Sequence, residues 1–292
     1  MDSSNIISTI SNSINYMFNN IISSIDNSLY SILDDFTFIN SNILNDEYFY
    51  NIFGVNSSNG VLLVANSLIA GYLIYYSIKL ILSRLEITEV ERPFQFIFKL
   101  IICAICMNFS FFICDELIYF ISLISNLVRD IGEGLFNTQI CFSNLILKLN
   151  NILSNSESNL NIFSIDGIIK SLISLGLLNL VITYSIRYVL IKIFVLLSPF
   201  CFLSLCNKNT SILFKAWIKS FLSLLIVQVF VAIILLLIFS LNLKSNNISS
   251  KLILFAAISI LIKANSYVRE LLGGISSEAN MSFNNLKSFL MK

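Results

Sequence analysis

The sequence predicts an all-α, polytopic membrane protein with about five transmembrane helices, six being the alternative, plus extracytoplasmic amphipathic helices. The 292 residues are 56% hydrophobic and 12% charged, with a mean hydropathy of +0.83, whereas soluble domains are about 25% charged. Several apolar runs are long enough to cross a hydrocarbon core of roughly 30 Å. With 9 Gly and 2 Pro, the chain lacks the frequent turns of a β-barrel.

The charge distribution predicts the orientation of the chain. Lys79 is the first basic residue, and six acids precede it. Residues 1–166 hold 15 acids and 6 bases, whereas residues 167–292 hold 2 acids and 12 bases. Because Lys and Arg near a membrane segment keep that end on the cytoplasmic side, we expect a multi-pass protein of the cell (inner or plasma) membrane with an extracytoplasmic N-terminus.

Residues 1–60 are predicted to form an extracytoplasmic amphipathic helix and an acidic connector. Between residues 4 and 33, apolar residues recur at three- and four-residue steps among Ser and Asn, which is the pattern of a helix with one apolar face. Two interpretations stay open: an interfacial helix on the outer leaflet, or a helix that binds a partner. Residues 34–60 carry the acids and end in a turn-forming Asn-Ser-Ser-Asn-Gly tract.

The first two membrane spans are predicted within 61–114. Span one covers about 61–82 and span two about 94–114, joined by a cytoplasmic loop whose Pro93 suits the first turn of a helix. Asp115 and Glu116 mark the predicted exit of span two from the membrane. Residues 115–167 then form an extracytoplasmic loop with an amphipathic helix at 117–131, a break at 132–134 (Gly-Glu-Gly) and a second amphipathic helix at 140–149.

The remaining spans are predicted within 168–264. Residues 168–206 are apolar but carry three bases, so they form either a hairpin turning near 187–192 or an interfacial helix leading into one tilted span. The single crossing keeps more Lys and Arg on the cytoplasmic side and is favoured. Span four is then about 218–241, preceded by a Pro/Trp elbow, and span five is a short segment at 252–264. Residues 265–292 are predicted to be a cytoplasmic tail.

Catalytic and cofactor motifs are absent from the sequence. The chain has no His, which removes His-dependent triads and histidine metal sites, and it has no Walker or dinucleotide fingerprint. The C-x-x-C of Cys103 and Cys106 lies in an apolar span and is interpreted as packing, while a disulfide between Cys114 and Cys141 stays open as an alternative. We therefore expect no enzyme activity, no cofactor and no metal.

Four residues are structural or assembly candidates: Arg187, Lys192, Pro199 and Trp217. Arg187 and Lys192 lie within an apolar run, where an ionisable residue either lines a polar interior or extends to the membrane boundary. Pro199 lacks an N–H and can kink its helix. Trp217 stands between Lys215 and Lys219, which favours an interfacial anchor.

Residues 187–230 carry a family resemblance. Arg187 enters an apolar helix, Pro199-Phe200 follow, a polar turn contains Thr210, and Trp217 opens a long apolar span. This arrangement resembles the TrbL-like conjugal transfer family, the polytopic inner-membrane subunits of conjugative type IV secretion systems, with Pro199 and Trp217 at the family's Pro and Trp positions.

The resemblance implies a channel or scaffold subunit that supports export of a DNA–protein substrate without catalysis. The implied partners are membrane lipids, further copies of the chain in a homo-oligomer, and the other membrane subunits and ATPases of the apparatus, with transient contact to the DNA–protein substrate. Two other functions stay open: a small-solute permease or exporter, and a phage- or bacteriocin-associated membrane protein. The spans contain no Asp or Glu, which counts against an ion-coupled permease.

Overall fold

The protein is all-α and multi-pass, as predicted. The computed structural model describes residues 13, 28–55, 59–84, 92–154, 165–207, 210–241 and 248–272. About 90% of these residues are helical and none forms a strand. Within the described part of the chain, five helices are long and apolar enough to cross a membrane. The predicted amphipathic helix at 4–33 lies outside the described residues, except for residue 13 and its last turns.

The described residues form nine α-helices and two 3-10 turns. They are α1 (Ser28–Thr37), α2 (Glu47–Phe53), α3 (Val61–Arg84), α4 (Pro93–Asn108), α5 (Ser110–Phe136), α6 (Phe142–Ser154), α7 (Ile165–Leu203), α8 (Ser211–Ser240) and α9 (Ile248–Leu272), with 3-10 turns at Ser41–Ile43 and Ser204–Cys206.

Helices α3 and α4 form an antiparallel pair. The rings of Tyr76 and Phe96 stack with centroids 3.7 Å apart, and the side-chain amides of Asn66 and Asn108 hydrogen-bond at 3.3 Å. Pro93 opens α4 at its first turn, where its missing N–H costs nothing. The 16 residues of α4 span only roughly 24 Å, so α4 alone is shorter than the hydrocarbon core.

The helix break in this region is at Phe109 and not at 132–134, where the sequence pattern placed it. Helix α5 begins at Ser110, contains Asp115 and Glu116, and continues through the Gly-Glu-Gly tract to Phe136. Gly132 permits close packing, since a Cβ there would lie 2.5 Å from Cγ1 of Ile140. Gly132 is therefore a close-contact position within a helix, and the prediction of a break was wrong. The second amphipathic helix, predicted at 140–149, corresponds to α6.

Helix α7 is one continuous helix from Ile165 to Leu203, with Pro199 inside it. The hairpin alternative for 168–206 is thus contradicted. At 39 residues the helix is roughly 58 Å long. Helix α8 runs antiparallel to it, because Arg187 contacts Leu224 while Phe194 contacts Trp217.

Helix α9 is longer than the predicted fifth span. It continues through Arg269 to Leu272, whereas hydropathy alone placed its end at 264. Leu261, Ala264 and Val268 are buried on one face while Lys263 is exposed, so the last turns are amphipathic and a hydropathy average misses them. Residues 273–292 of the predicted tail lie outside the described residues.

The buried apolar side chains form two clusters stacked along α7 and α8. In α7, the first cluster extends as far as Tyr184 and the second begins at Ile191. In α8, the second cluster extends as far as Leu225 and the first begins at Val227. The first cluster also takes in α6 and α9, and the second takes in α2, α4 and the start of α5. A boundary between two apolar clusters thus crosses α7 and α8 at mid-length.

Candidate functional site

Arg187 lies at the boundary between the two clusters and is completely buried, with 0% of its surface exposed. Its Nε donates to the carbonyl of Leu224 at 2.6 Å, and its Nη1 donates to the carbonyl of Thr37 at 2.9 Å. A buried charge is tolerated only when it is hydrogen-bonded. Arg187 is therefore a bonded interior residue, and the interpretation that it extends to the membrane boundary is wrong.

The N-terminal segment, residues 28–55 with α1 and α2, supplies two of the carbonyls that accept hydrogen bonds from Arg187. The carbonyl of Phe36 also accepts from Arg187 Nη1, at 3.4 Å, and Phe36 and Thr37 end helix α1. The last carbonyls of a helix have no donor within the helix and carry the negative end of its dipole. Arg187 therefore caps α1 from a different helix.

Gln228 on α8 completes the contact. Its side-chain Oε1 accepts from the backbone N–H of Ile39 at 3.0 Å and from Arg187 Nη2 at 3.5 Å. Its backbone carbonyl accepts from Ser125 Oγ at 3.4 Å. We call Arg187, Gln228 and the backbone of residues 36–39 the polar junction. It joins the N-terminal segment to α7 and α8, and Ser125 adds α5.

Lys192 makes a second, weaker contact with the same segment. Its Nζ lies 3.9 Å from Asp46 Oδ2, with side chains 25% and 47% exposed, and it stands over the rings of Phe49 and Tyr188 at 5.5 and 5.4 Å. Asp46 also caps α2 by accepting from the N–H of Tyr48. Partly exposed ion pairs contribute about 0–1 kcal/mol, so Lys192 adds little beside Arg187.

Pro199 and Trp217 both affect adjacent backbone carbonyls in the C-terminal part of α7. Pro199 leaves the carbonyl of Val195 without its helical donor, and Ser198 Oγ donates to that carbonyl at 2.7 Å. Trp217 Nε1 donates to the neighbouring carbonyl of Phe194 at 2.9 Å. Trp217 is only 5% exposed, so the interfacial-anchor prediction is wrong and the indole is a packed connection between α7 and α8.

Asp34 joins α1 to α6. Its carboxylate accepts from the N–H of Phe142 at 2.7 Å and from the N–H and Oγ of Ser143 at 3.2 and 2.9 Å, so it satisfies donors of the first turn of α6. Burial raises the pKa of Asp34, although these hydrogen bonds and the nearby charge of Arg129 act in the opposite direction.

Sequence reasoning missed Asp34, Gln228 and Thr37. For Gln228 a signal existed, since it is a single amide in the middle of the apolar run of α8, and a polar side chain at such a position marks an interior contact. Asp34 had no comparable signal among the many acids of its segment. Thr37 contributes its backbone carbonyl, which no side-chain pattern reports.

The positions of the cysteines and acids among the described residues determine whether they could act as ligands. All six cysteines are free thiols, so the disulfide alternative for Cys114 and Cys141 is not realised. Among the residues that the structure describes, no group of three His, Cys, Asp or Glu side chains is placed to hold a metal ion.

A polar cavity of about 240 Å³ adjoins the polar junction. The residues around it include the buried Ser122, Ser125 and Gln228. Exposed polar residues form its rim, namely Asp35, Asn40 and Asn126.

Comparison of the chain with protein-family models, with curated proteins and with solved structures gives no match. The relationship to the TrbL-like conjugal transfer family stays a prediction that rests on residues 187–230.

Proposed function

We propose that this protein is a non-catalytic scaffold or channel subunit of a conjugative type IV secretion apparatus. In this proposal its helices lie in the plasma membrane, its N-terminal segment lies outside, and copies of the chain assemble with the other membrane subunits and ATPases of the apparatus.

The polar junction carries the scaffold part of the proposal. A fully buried guanidinium makes hydrogen bonds to the carbonyls of Leu224, Phe36 and Thr37, and none of these groups is a nucleophile or a base. A charge used in this way fixes the position of one segment against another. It suits a protein that holds a soluble segment rigidly against membrane helices.

The positions of the basic residues support the orientation. Asn207, which follows α7 and its 3-10 turn, lies beside the second half of α3, since it shares a surface cavity with Tyr72 and Lys79. Lys215 lies on an exposed face of the first turns of α8. Lys79 on α3 and Lys215 on α8 thus lie at the same end of the helices. Because basic residues favour the cytoplasmic side of a membrane, this end is the cytoplasmic one in the proposal.

The conjugative part of the proposal rests on the resemblance of residues 187–230. It is tested by an in-frame deletion of the gene in a donor cell that carries the transfer system, with complementation by the wild-type chain. DNA transfer is expected to be lost while relaxase nicking of the transfer origin and ATP hydrolysis by the partner ATPases persist. Normal transfer from the deletion strain would contradict the proposal.

A further inference from the structure

Two adjoining surface cavities lie along the second half of α3. The larger, of about 340 Å³, is lined by Leu68, Gly71, Tyr72, Tyr75 and Asn207. The smaller, of about 60 Å³, shares Tyr72, Tyr75 and Asn207 with the larger one and continues to Lys79. Because they share these residues, the two cavities form one continuous depression, which we call the α3 groove.

The spacing of the α3 residues places them on one face of the helix. Leu68, Tyr72, Tyr75 and Lys79 follow one another at steps of four, three and four residues, which bring side chains to the same side of a helix. Gly71 lies beside this row, and a Cβ built on it would meet no atom of another part of the described chain within 4 Å. Gly71 therefore adds open space to the larger cavity.

Two other elements border the smaller cavity. Phe96 on α4 and Cys206 in the 3-10 turn after α7 contribute to its lining, and both side chains are buried. Tyr76 of α3 stacks on Phe96 with ring centroids 3.7 Å apart and lines the same cavity. The border of the groove is thus packed protein surface that exists before any ligand binds.

The α3 groove is accessible from outside the protein. Leu68 is 44% exposed and Tyr75 is 53% exposed, and α3 is one of the helices long and apolar enough to cross a membrane. The rise of a helix from Leu68 to Lys79 is about 16 Å, or roughly half of a hydrocarbon core of about 30 Å. The groove therefore has the length of the acyl region of one leaflet.

Lys79 gives the groove one charged end. Among the described residues that line the two cavities, Lys79 is the only one that carries a charge. It lies in the last two turns of α3, where a Lys side chain can extend its ammonium to the level of the lipid headgroups. Tyr75, one turn before it, carries a phenolic O–H that can donate a hydrogen bond. A cation at this level favours a phosphate, and no acid among the lining residues opposes it.

We propose that the α3 groove binds one anionic phospholipid, with an acyl chain over Gly71 and the phosphate at Lys79. A zwitterionic phospholipid has the same chains, but its headgroup cation would face Lys79, so the anionic headgroup is preferred. In the orientation proposed above, this lipid belongs to the cytoplasmic leaflet, which is rich in anionic lipids. The inference rests on membrane insertion of α3 and not on a role in conjugation.

Native mass spectrometry of the full-length protein, released from lipid nanodiscs, measures the lipid that stays bound. The nanodiscs contain equal amounts of dioleoylphosphatidylglycerol and dioleoylphosphatidylcholine, which differ in headgroup and not in acyl chains. The wild type should retain phosphatidylglycerol in about fivefold excess, the factor expected for one base near the membrane surface. Lys79→Gln should remove this preference. Gly71→Leu should reduce the retention of both lipids, because its side chain fills the groove.

Each variant has a matched control. Lys215→Gln changes an exposed base on α8 that does not line the groove. Gly134→Leu adds the same side chain on α5, at a second glycine whose Cβ would meet no atom within 4 Å. Both controls should retain lipid like the wild type, and thermal unfolding checks that every variant is folded.

An excess of inorganic phosphate separates a lipid site from a site for a free anion. It should not displace phosphatidylglycerol, because the acyl chain contributes to binding. The proposal is overturned if the wild type retains the two lipids equally, if Lys79→Gln keeps the preference, if Gly71→Leu retains as much lipid as Gly134→Leu, or if inorganic phosphate displaces the lipid. None of these outcomes bears on DNA transfer, which the deletion strain measures separately.

Discussion

Arg187 Nη1 donates a 2.9 Å hydrogen bond to the backbone carbonyl of Thr37, across 150 residues of sequence. The bond joins the middle of a long apolar helix to the end of a helix in the polar N-terminal segment. Gln228 adds a bond to Ile39 from the next helix. Three separate parts of the chain thus meet at one buried charge, and the arrangement of the N-terminal segment depends on it.

Trp217 provides a graded test of the α7–α8 connection. Trp217→Phe removes the hydrogen bond to the carbonyl of Phe194 and should cost about 1 kcal/mol. It keeps an aromatic ring beside Phe221, on which the wild-type indole stacks with ring centroids 5.3 Å apart. Trp217→Ala also creates a cavity and should cost about 3–5 kcal/mol. Thermal unfolding in detergent measures both, and less oligomer should be recovered for the Ala variant. Equal losses for the two variants would show that the ring does not pack as described.

Asp34 gives the contact of α1 with α6 a pH dependence. Burial raises the pKa of Asp34 above its ordinary value of 3.8, so the folded state favours the protonated carboxyl. The resulting contribution to stability is present below the unfolded pKa and is lost as pH rises through the raised folded pKa. We expect the wild type to lose stability over that interval, and Asp34→Asn to show a flatter profile.

Thermal unfolding between pH 3 and pH 7 measures this difference. Asp130→Asn serves as the control, since Asp130 is exposed on α5 and should keep the wild-type profile. A flat wild-type profile, or one whose stability increases with pH in the same interval more than that of Asp34→Asn, would contradict the assignment.

Single-cysteine labelling tests the orientation. In a background without native cysteines, a cysteine replacing Tyr48, which is 80% exposed, should react with an impermeant maleimide on intact cells. A cysteine replacing Thr88, in the predicted cytoplasmic loop, should react only after the membrane is opened. The reverse pattern would place the N-terminal segment in the cytoplasm.

The sequence predicts the helices of this protein well because apolar length and helical periodicity are local properties. It places helix ends less well where a competing contact decides them. Phe109 interrupts a continuous apolar run, whereas Gly132 and Gly134 lie within a helix, and Ile140 approaches the backbone of Gly132 closely. Breaks and close contacts of this kind depend on tertiary partners.

Arg187 shows what part of the site was predictable. Its residue type and apolar surroundings mark it as a candidate, but its partners are backbone carbonyls of Leu224, Phe36 and Thr37. Every residue has a carbonyl, so no side-chain pattern points to these three. Trp217 was likewise selected correctly for attention but assigned to the membrane surface, because the flanking lysines are exposed while the indole itself turns inward.

Hydrogen exchange at residues 36–39 tests the polar junction most directly. The full-length wild type, Arg187→Leu and the control Lys219→Leu, which changes an exposed base on α8, are compared in lipid nanodiscs by mass spectrometry. Removing the guanidinium leaves buried carbonyls without a donor, and each unpaired carbonyl costs about 1–3 kcal/mol of stability. The amide of Ile39 should therefore exchange at least tenfold faster in Arg187→Leu. In Lys219→Leu it should exchange at the wild-type rate. Unchanged protection of residues 36–39 in Arg187→Leu would contradict the account.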